Sequence, residues 1–457
     1  MKTESHWLIY GIGVTVTGAW LWTAQAWGGP EPVAEALPMV GTAGHGHTYP
    51  GATVPFGFVQ LSPDTRTQGW DACSGYHYSD STLLGFSHTH LSGTGCGDLG
   101  DLLIMPVTGG LQQGEGYVPL EAKRFSSPFS HERESAAPGY YRVQLDRYEV
   151  RAQLTATAHV GVHSYTFPGS KESHILLDLV HGLNSKPLEC CLKIEGTNLV
   201  TGYRRSGGWA KDKTVYFVLE SSKPFVGWGL ELDGKPLPAG QSEAKGKSVR
   251  AHLDFQTPMR RQVVLRVGLS ATSIEGAMKN LRAEVPSFDF NVIAEAARAA
   301  WNQALSPIRL ESSDANVRQT FYSALYHTMT APTLYNDVDG AYRGPDGRVH
   351  EKPGFQYYCT LSLWDTFRAE HPLMTLVQPG RVNDIVQSML AFYQQSEPHA
   401  LPMWPLASCE TWCMIGYHSA PVIADAYAKG FRGYDAELAY EALKKTATDP
   451  RNRQDQY

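Results

Sequence analysis

The chain has 457 residues, of which 42% are hydrophobic and 18% are charged, a composition typical of globular proteins. Its length exceeds what one hydrophobic core usually holds, so we expect at least two domains. Lys and Arg number 39 against 45 Asp and Glu, giving a net charge of -6. This charge provides no basic field for phosphates, and nucleic acid is therefore excluded as an expected partner.

The first 26 residues are predicted to be a signal peptide. Lys2 precedes an apolar stretch over residues 7–22, and Ala24-Gln25-Ala26 follows it. This order of basic, apolar and small-residue segments is typical of export signals, with cleavage expected after Ala26. The apolar stretch is shorter than the ~20 residues of a spanning helix. We therefore expect a secreted or periplasmic protein without a membrane span once the signal is removed.

Residues 27–285 are predicted to form an antiparallel β-sandwich. Apolar residues alternate with polar ones between residues 140 and 272, and alternate residues from Ala152 to Val162 would line one face of a single strand. The pattern recurs from Val263 to Leu269. Further short strand candidates lie between these two stretches and are separated by turn-forming residues, as in a sandwich.

The periodicity becomes helical after Pro286. Ile293, Ala297 and Trp301 recur on one helical face, so we interpret residues 286–310 as a helical linker. The remaining residues, 311–457, are predicted to be helical.

Four helices are expected in that last region. Ser313 is the predicted N-cap of a helix that buries Val317, Phe321 and Leu325. Pro379 is suited to the first turn of a second helix, whose predicted apolar stripe runs from Val382 to Tyr393. The third is predicted from Val422 to Gly430, and the fourth near residues 435–446. Each helix has one apolar stripe, so this region either forms a self-contained bundle of four or five helices or needs further helices to complete its core.

Seven cysteines are too few for a disulfide scaffold in a chain of this length. Cys190-Cys191 and the pair Cys409 and Cys413 lack zinc-site partners at recognisable spacing. Cys73 with Cys96 is the one pair predicted to form a disulfide, and the other thiols are expected to be buried.

Residues 41–106 are dense in Gly, His and Asp, although neither helix nor strand periodicity requires them. Glycines allow the close backbone approach found in loops that shape a ligand pocket. His and Asp side chains can hydrogen-bond sugar hydroxyls, and Trp70 can stack on a pyranose ring. The composition of this region indicates a carbohydrate-binding surface.

A second such region covers residues 357–421. Asp365 and Arg368 lie three residues apart, one helical turn, so both can point into one cavity. The alternative is a surface ion pair worth ~0.5 kcal/mol. Flanking Trp364 and Phe367 favour burial and therefore the functional interpretation.

Other chemistries fit the sequence less well. His88 and His90 could place two imidazoles on one strand face, as zinc requires, but no third ligand is evident. His45 and His47 are equally ambiguous, and structural histidines are the default interpretation. A serine nucleophile at Ser92 lacks the G-x-S-x-G elbow of hydrolases.

These stretches closely resemble glycoside hydrolase family 92. Its members contain a GTGGHGHTYPGA-like run, then FSHTHLSGTGCGDxGD, and in the helical region SLWDTFRAxHPL. The chain carries GTAGHGHTYPGA from Gly41, FSHTHLSGTGCGDLGD from Phe86 and SLWDTFRAEHPL from Ser362. Long strings matched in order make this resemblance more specific than any short motif.

The resemblance implies an N-terminal β-sandwich, a helical linker and an (α/α)6 catalytic barrel, with the active site between sandwich and barrel. It also implies a calcium-dependent, inverting exo-α-mannosidase. Its substrate would be an α-mannoside oligosaccharide or a glycoprotein glycan, with α-1,2-mannosides of N-glycans or mannan favoured. In inverting enzymes one carboxylic acid protonates the leaving oxygen while a carboxylate activates water. Ca2+, bound by oxygen ligands, could hold two mannose hydroxyls.

The family's catalytic acid lies in an EGNAWQY-like motif, and its HGNEP and DDxGxMSAWY runs supply further ligands and the base. None of these occurs in the sequence. We therefore expect the catalytic residues, and most calcium ligands, beyond Tyr457, an incomplete barrel, and no activity of the chain by itself. The resemblance carries over only sugar-binding roles, for Trp70, Asp71, His88, His90, Asp365 and Arg368.

Two alternatives remain from other classes. The chain could be a non-catalytic carbohydrate-binding module that uses the same pocket wall. A glycan amidase is a third interpretation, but no Cys-His-Asp set is arranged to support it.

Overall fold

The computed structural model describes residues 30–111, 117–259, 261–351 and 353–449. The predicted signal peptide, residues 1–26, lies outside these ranges. Within them, no helix combines the length and the apolar character that crossing a membrane requires.

The N-terminal part is built from antiparallel strands, and six further short strands among the described residues form hairpins between residues 333 and 410 of the C-terminal part. In chain order, the strands of the two large sheets and of the smaller hairpins are β1 (Ser62–Asp64), β2 (Thr82–Leu83), β3 (Gly85–Ser87), β4 (Leu103–Thr108), β5 (Ser127–Pro128), β6 (Glu134–Ala137), β7 (Tyr140–Leu145), β8 (Val150–Ala156), β9 (Val160–Thr166), β10 (Ser170–Asp178), β11 (Lys186–Glu195), β12 (Leu199–Gly207), β13 (Lys213–Ser221), β14 (Gly227–Leu232), β15 (Lys235–Pro236), β16 (Glu243–Gly246), β17 (Val249–Thr257), β18 (Gln262–Ser270), β19 (Thr333–Leu334), β20 (Tyr342–Arg343), β21 (Val349–His350), β22 (Tyr358–Cys359), β23 (Pro405–Leu406) and β24 (Cys409–Glu410).

Two sheets face each other across one hydrophobic core. The seven-stranded sheet has the order β1-β3-β4-β10-β17-β14-β15, and the nine-stranded sheet has the order β16-β11-β12-β13-β18-β9-β8-β7-β6. Ile175 and Leu253 from the first sheet and Leu154 and Leu265 from the second are fully buried in this core. The alternating pattern from Val263 to Leu269 is confirmed, because Val263, Leu265, Val267 and Leu269 of β18 all lie in this core.

The expectation of a single strand from Ala152 to Val162 is wrong. The segment is a hairpin of β8 and β9 with a turn at residues 157–159. Ala152 and Leu154 face the sandwich core, whereas Val160 and Val162 face the opposite side of the sheet. The turn is held by Glu284, whose carboxylate accepts hydrogen bonds from the His159 amide at 2.9 Å and the Thr157 hydroxyl at 2.5 Å.

The C-terminal part is mainly helical. Its helices, with one short helix that precedes the sandwich, are α1 (Pro32–Glu35), α2 (Ile274–Glu284), α3 (Phe290–Leu305), α4 (Ala315–His327), α5 (Leu363–Thr366), α6 (Glu370–Val377), α7 (Pro379–Gln395), α8 (Ser419–Ala428) and α9 (Ala436–Thr448). A β-rich domain followed by a helical domain is thus confirmed. Closure of the helices into an (α/α)6 barrel stays a prediction.

Helix boundaries follow local sequence signals, with two corrections. Pro379 opens α7, and its predicted apolar stripe from Val382 to Tyr393 is buried. The predicted cap of α4 is wrong, because Asp314, not Ser313, caps the helix by accepting from the Asn316 amide. Of its predicted buried residues, Val317 is 47% exposed, whereas Leu325 is buried and Phe321 packs against the core. An Asp at the N-cap satisfies a free amide as well as a Ser does.

Helical structure begins before Pro286, because α2 already covers Ile274–Glu284. This helix packs against the outer face of the nine-stranded sheet. Leu281 and Val285 are buried there beside Val160 and Val162. The division of the chain at residues 285, 286–310 and 311 stays a prediction. The helical domain has a separate core around Trp301, Tyr322 and Met389, so the two parts meet along a cleft.

Candidate functional site

A cavity of about 250 Å³ lies between the sandwich and the helical domain. Its sandwich wall consists of Thr48 and residues 90–94, and its helical wall includes Asp365, Glu370, His371 and Trp404. The cleft is therefore lined by polar side chains from both domains. A cavity at a domain boundary into which a few polar groups converge is the default position for a ligand site.

Asp365 is the predicted site residue that the helical wall supplies. It lies in α5, and its Oδ2 accepts a hydrogen bond from the Ser362 hydroxyl at 2.6 Å. The Ser362 oxygen in turn accepts from Trp404 Nε1 at 2.6 Å. This chain of hydrogen bonds fixes one carboxylate oxygen and orients the side chain at the cavity.

Glu370 and His371 are cavity residues that sequence reasoning missed. Glu370 Oε1 is buried and has no hydrogen-bond partner among the described residues. Burial, and then the nearby charge of Asp365, raise the pKa of Glu370 to about 8. Burial lowers the pKa of His371 to about 4. At neutral pH the wall thus presents a protonated carboxyl group, able to donate a hydrogen bond, beside a neutral imidazole.

Arg368 is not brought to the cavity beside Asp365. Its guanidinium carbon lies 5.1 Å from the centroid of the Phe367 ring, and that ring stacks on His418 with centroids 4.2 Å apart. Arg368 is exposed, and Trp364, which was expected to be buried, is 41% exposed. A sugar-binding role for Arg368 stays a prediction, located on the open surface next to α5.

His90 is the predicted residue that the sandwich wall supplies. Its Nδ1 lies 2.7 Å from the Gln60 carbonyl oxygen, and its Nε2 lies 2.9 Å from Asp64 Oδ1. Asp64 is fully buried and also pairs with His181 Nε2 at 2.7 Å. Burial raises the pKa of Asp64, but the two histidines outweigh it and hold that pKa well below its usual range. His90 is thus held rigidly at the cavity.

His88 lies deeper, in the interior of the sandwich, and does not line the cavity. It is fully buried, with Nδ1 at 2.9 Å from the Leu102 carbonyl oxygen and Nε2 at 3.0 Å from Nε2 of His163. Burial lowers the pKa of His88 to about 4 and also lowers the pKa of His163. The structure therefore places His88 behind the wall rather than in it.

Trp70 and Asp71 form an exposed lip beside the cavity. Trp70 is 57% exposed, and Asp71 Oδ1 lies 2.7 Å from His45 Nδ1 and 3.0 Å from His47 Nε2. His47 connects the lip to the cavity wall, because its Nδ1 lies 3.0 Å from the carbonyl oxygen of Thr94. An exposed indole next to a carboxylate is a suitable platform for a sugar ring.

The predicted disulfide between Cys73 and Cys96 is wrong. Both are free thiols, and both line a pocket that Trp70 also lines. The Cys73 thiol donates a hydrogen bond to the Trp70 carbonyl oxygen at 2.7 Å, which directs the sulfur to the backbone. Neither spacing nor count could reveal that orientation.

Two groups of described residues could hold a metal ion: His45, His47 and Asp71, and His174, His252 and Asp254. Each offers two imidazole nitrogens and one carboxylate. Calcium takes six to eight oxygen ligands, so neither group fits it. These two groups are therefore unsuited to the calcium that the resemblance implies.

Comparison with known families supports the division seen in the fold. The model of the glycosyl hydrolase family 92 N-terminal domain matches residues 37–270, and that of the family 92 catalytic domain matches residues 276–457. The chain belongs to glycosyl hydrolase family 92. The sequence resemblance to this family is thereby confirmed.

Solved family 92 structures are similar over most of the chain. The α-mannosidase BT3965 from Bacteroides thetaiotaomicron, in complex with mannoimidazole, is 38% identical, with a TM-score of 0.88 over 92% of this chain and 56% of that one. The inverting mannosidase BT2199 from the same organism is 31% identical, with a TM-score of 0.82 over 93% of this chain and 56% of that one.

A curated relative is also similar. The uncharacterized secreted glycosidase of Arthroderma benhamiae is 27% identical over 90% of this chain and 51% of its own length. The chain thus spans about half the length of the relatives it matches.

Proposed function

We propose that the protein acts in α-mannoside hydrolysis, and that the cavity between its two domains receives the terminal mannose. The observation that carries this proposal is the position of Asp365. In a family 92 chain, this carboxylate projects from the matched SLWDTFRA run into a polar cavity at the domain boundary. The mannosidase names of two similar structures support the substrate class.

The cavity walls suit sugar binding rather than bond cleavage. The two carboxyl groups that line it, Asp365 and Glu370, both belong to the helical wall, whereas the sandwich wall offers Thr, Ser and His groups. An inverting glycosidase needs an acid and a base on opposite sides of the scissile bond, ~6.5 to 9.5 Å apart. We propose that the catalytic acid and base are supplied by other residues, which leaves Asp365, Glu370 and His90 to hold the sugar.

The lip extends this binding surface. Trp70 would stack on the face of a sugar, and Asp71 would accept hydrogen bonds from hydroxyl groups outside the cavity. The Trp70 ring is accessible to a sugar, because 57% of this residue's surface is exposed. The preferred linkage, for which we propose α-1,2, would depend on this outer region.

Mannose release tests the proposal. The chain and a form extended beyond Tyr457 are incubated with α-1,2-mannobiose, with and without a calcium chelator. We expect release only by the extended form and its loss with chelator, since calcium dependence is part of the proposal. Turnover by the 457-residue chain alone would refute the assignment of acid and base to other residues. No release by the extended form would refute the activity.

Asp365→Asn in the extended form tests the cavity. We expect kcat/KM to fall about a hundredfold, because ~2.7 kcal/mol of transition-state binding is lost with a charged hydrogen-bond acceptor. Asp425→Asn removes an exposed carboxylate that pairs with Lys429 and should leave kcat/KM unchanged. Mannoside binding without turnover by every form would instead favour the carbohydrate-binding module.

Export is also proposed. The sequence pattern of residues 1–26 and the secreted relative support it. Sequencing the N-terminus of the exported protein would test cleavage after Ala26.

A further inference from the structure

Three potential metal ligands converge at the lip of the cavity. Asp71 Oδ1 lies 2.7 Å from His45 Nδ1 and 3.0 Å from His47 Nε2. The carboxylate and the His45 side chain are open to solvent, with 29% and 69% of their surfaces exposed, whereas His47 is buried at 4%. One buried and two accessible ligands can bind an ion that arrives from solvent and leave a coordination position open.

The hydrogen bonds of His47 leave a conflict at this point. Its Nδ1 faces the Thr94 carbonyl oxygen, which can only accept, so Nδ1 carries a proton. In a neutral ring Nε2 then carries a lone pair, yet it faces the acceptor oxygen of Asp71 at 3.0 Å. A cation bound by both atoms satisfies the two of them at once. His45 adds a third donor atom at the same position.

Other histidines of the chain resolve similar contacts without a cation. His90 also lies between a carbonyl and a carboxylate, but His90 and Asp64 are both completely buried, which leaves an ion no access from solvent. His174 and His252 each direct Nδ1 to the same oxygen of Asp254, at 2.6 and 2.7 Å. Each of those rings can donate one proton to Asp254, so that cluster is explained as a hydrogen-bonded triad.

The backbone holds the lip histidines in place before any ligand binds. Gly46 separates them, and a Cβ there would lie 2.1 Å from the Gly41 carbonyl oxygen, so only glycine allows the turn. His47 adopts a φ of +52°, an uncommon backbone conformation for a non-glycine residue, and its carbonyl accepts from the Gly93 amide at 2.8 Å. The Trp70 ring packs against both imidazoles, with centroids 4.9 and 4.5 Å away.

We propose that His45 Nδ1, His47 Nε2 and Asp71 Oδ1 bind a divalent transition-metal ion of the zinc class. Two imidazoles and one carboxylate are ligands that zinc prefers, and water can occupy the open fourth position. Metal-bound histidines typically donate their other ring N–H to a carbonyl or carboxylate, and the contact of His47 Nδ1 with a backbone carbonyl has this form. The site is separate from the calcium that mannoside hydrolysis is proposed to require, and it goes beyond that proposed function.

Direct binding to the 457-residue chain tests the site without any need for catalysis. Equilibrium dialysis against Zn2+ near neutral pH measures stoichiometry and Kd, and Co2+ substitution reports imidazole ligation by its visible spectrum. We expect one Zn2+ ion to bind at the lip, and excess Ca2+ should not displace it from the two histidines and Asp71. His45→Ala should weaken Zn2+ binding at least tenfold, and this exposed residue can be replaced without disturbing the core.

Matched variants locate the ion. His47→Ala should weaken binding at least as much as His45→Ala, provided that circular dichroism shows an intact fold. His350→Ala removes a histidine that pairs with a single carboxylate, Asp346, and should leave Kd unchanged. Absence of Zn2+ binding, or binding that His45→Ala leaves intact, would overturn the proposal. Loss of binding in His174→Ala alone would assign the ion to the other cluster and overturn it equally.

Discussion

The two walls of the cavity treat their buried polar groups differently. On the sandwich side, Asp64 is completely buried and pairs with His90, His181 and Ser87. On the helical side, Glu370 Oε1 is buried without a partner in the described part of the chain. Burying an unpaired polar group costs free energy, whereas a fully paired group stabilises its surroundings. The difference indicates that the sandwich wall is a rigid support and the helical wall is adapted to a ligand.

The largest expected effect comes from removing the buried Asp64 carboxylate, which pairs with two histidines in the sandwich wall. Asp64→Ala should lower the free energy of unfolding by about 3–5 kcal/mol, because it leaves two buried histidines without their shared carboxylate. Asp80→Ala, which removes a partly exposed partner of Arg66, should cost only about 0–1 kcal/mol. Urea unfolding followed by tryptophan fluorescence measures both, and equal losses would show that burial does not distinguish the two pairs.

Removing the unpaired carboxyl group of Glu370 from the helical wall should instead raise the free energy of unfolding. Burial raises the pKa of Glu370 in the folded state from its ordinary 4.5 to about 8, so the folded state holds an extra proton between these pH values. Wild-type stability therefore falls as pH rises from 4.5 to 8, and Glu370→Gln removes that loss. We expect the variant to gain about 2 kcal/mol relative to wild type between these pH values, an amount reduced because the residue is partly exposed.

Unfolding curves at both pH values test this expectation. Glu397→Gln provides a control, because it removes a carboxylate whose side chain is 82% exposed. A gain by both variants, or by neither, would contradict the assignment of a protonated Glu370.

Behind the sandwich wall, the pair of His88 and His163 should make the free energy of unfolding decrease as the pH falls. Burial keeps the folded pKa of His88 at about 4 and also lowers that of His163, so both rings stay neutral in the fold. Their contribution is complete above the unfolded pKa of 6.5 and is lost as pH falls towards 4. His163→Gln should reduce the loss between pH 6.5 and 5 by about 1 kcal/mol. The measurement is the slope of stability against pH, and an unchanged slope would contradict it.

The smallest effect concerns the hydrogen-bond chain at Asp365. Ser362→Ala removes the hydroxyl that joins Trp404 Nε1 to the carboxylate and should cost about 1 kcal/mol. Ser126→Ala, at an exposed hydroxyl bonded to a backbone carbonyl, should be within about 0.5 kcal/mol of wild type. A thermal melt of both variants separates the two outcomes.

Periodicity predicted the elements whose environment is uniform along their length. The stripe of α7 from Val382 to Tyr393 meets one continuous core, so spacing alone identified its buried face. In β8 and β9 the same alternation continues through a turn, and the buried face changes from the sandwich core to the layer under α2. Sequence spacing carries no record of that change, because both sides of the nine-stranded sheet are covered.

The site was predictable where a long motif carried it. The matched strings identified Asp365 and His90, and the structure places both at one cavity. Glu370 was missed because its position is variable in the family pattern, and helical spacing directed attention to Arg368 instead. The unusual pKa of Glu370 arises from burial among residues distant in sequence, which no local pattern reports.

The contacts of His159 at the β8–β9 turn have a consequence for how the two domains are held together. His159 contacts Glu284 at the end of α2 through Nδ1 and the carbonyl of Asn336 through Nε2, at 2.5 and 2.8 Å. One side chain thus joins the nine-stranded sheet, α2 and the helical domain. Separating the two domains at this point would break both contacts, so His159 favours a fixed angle between them.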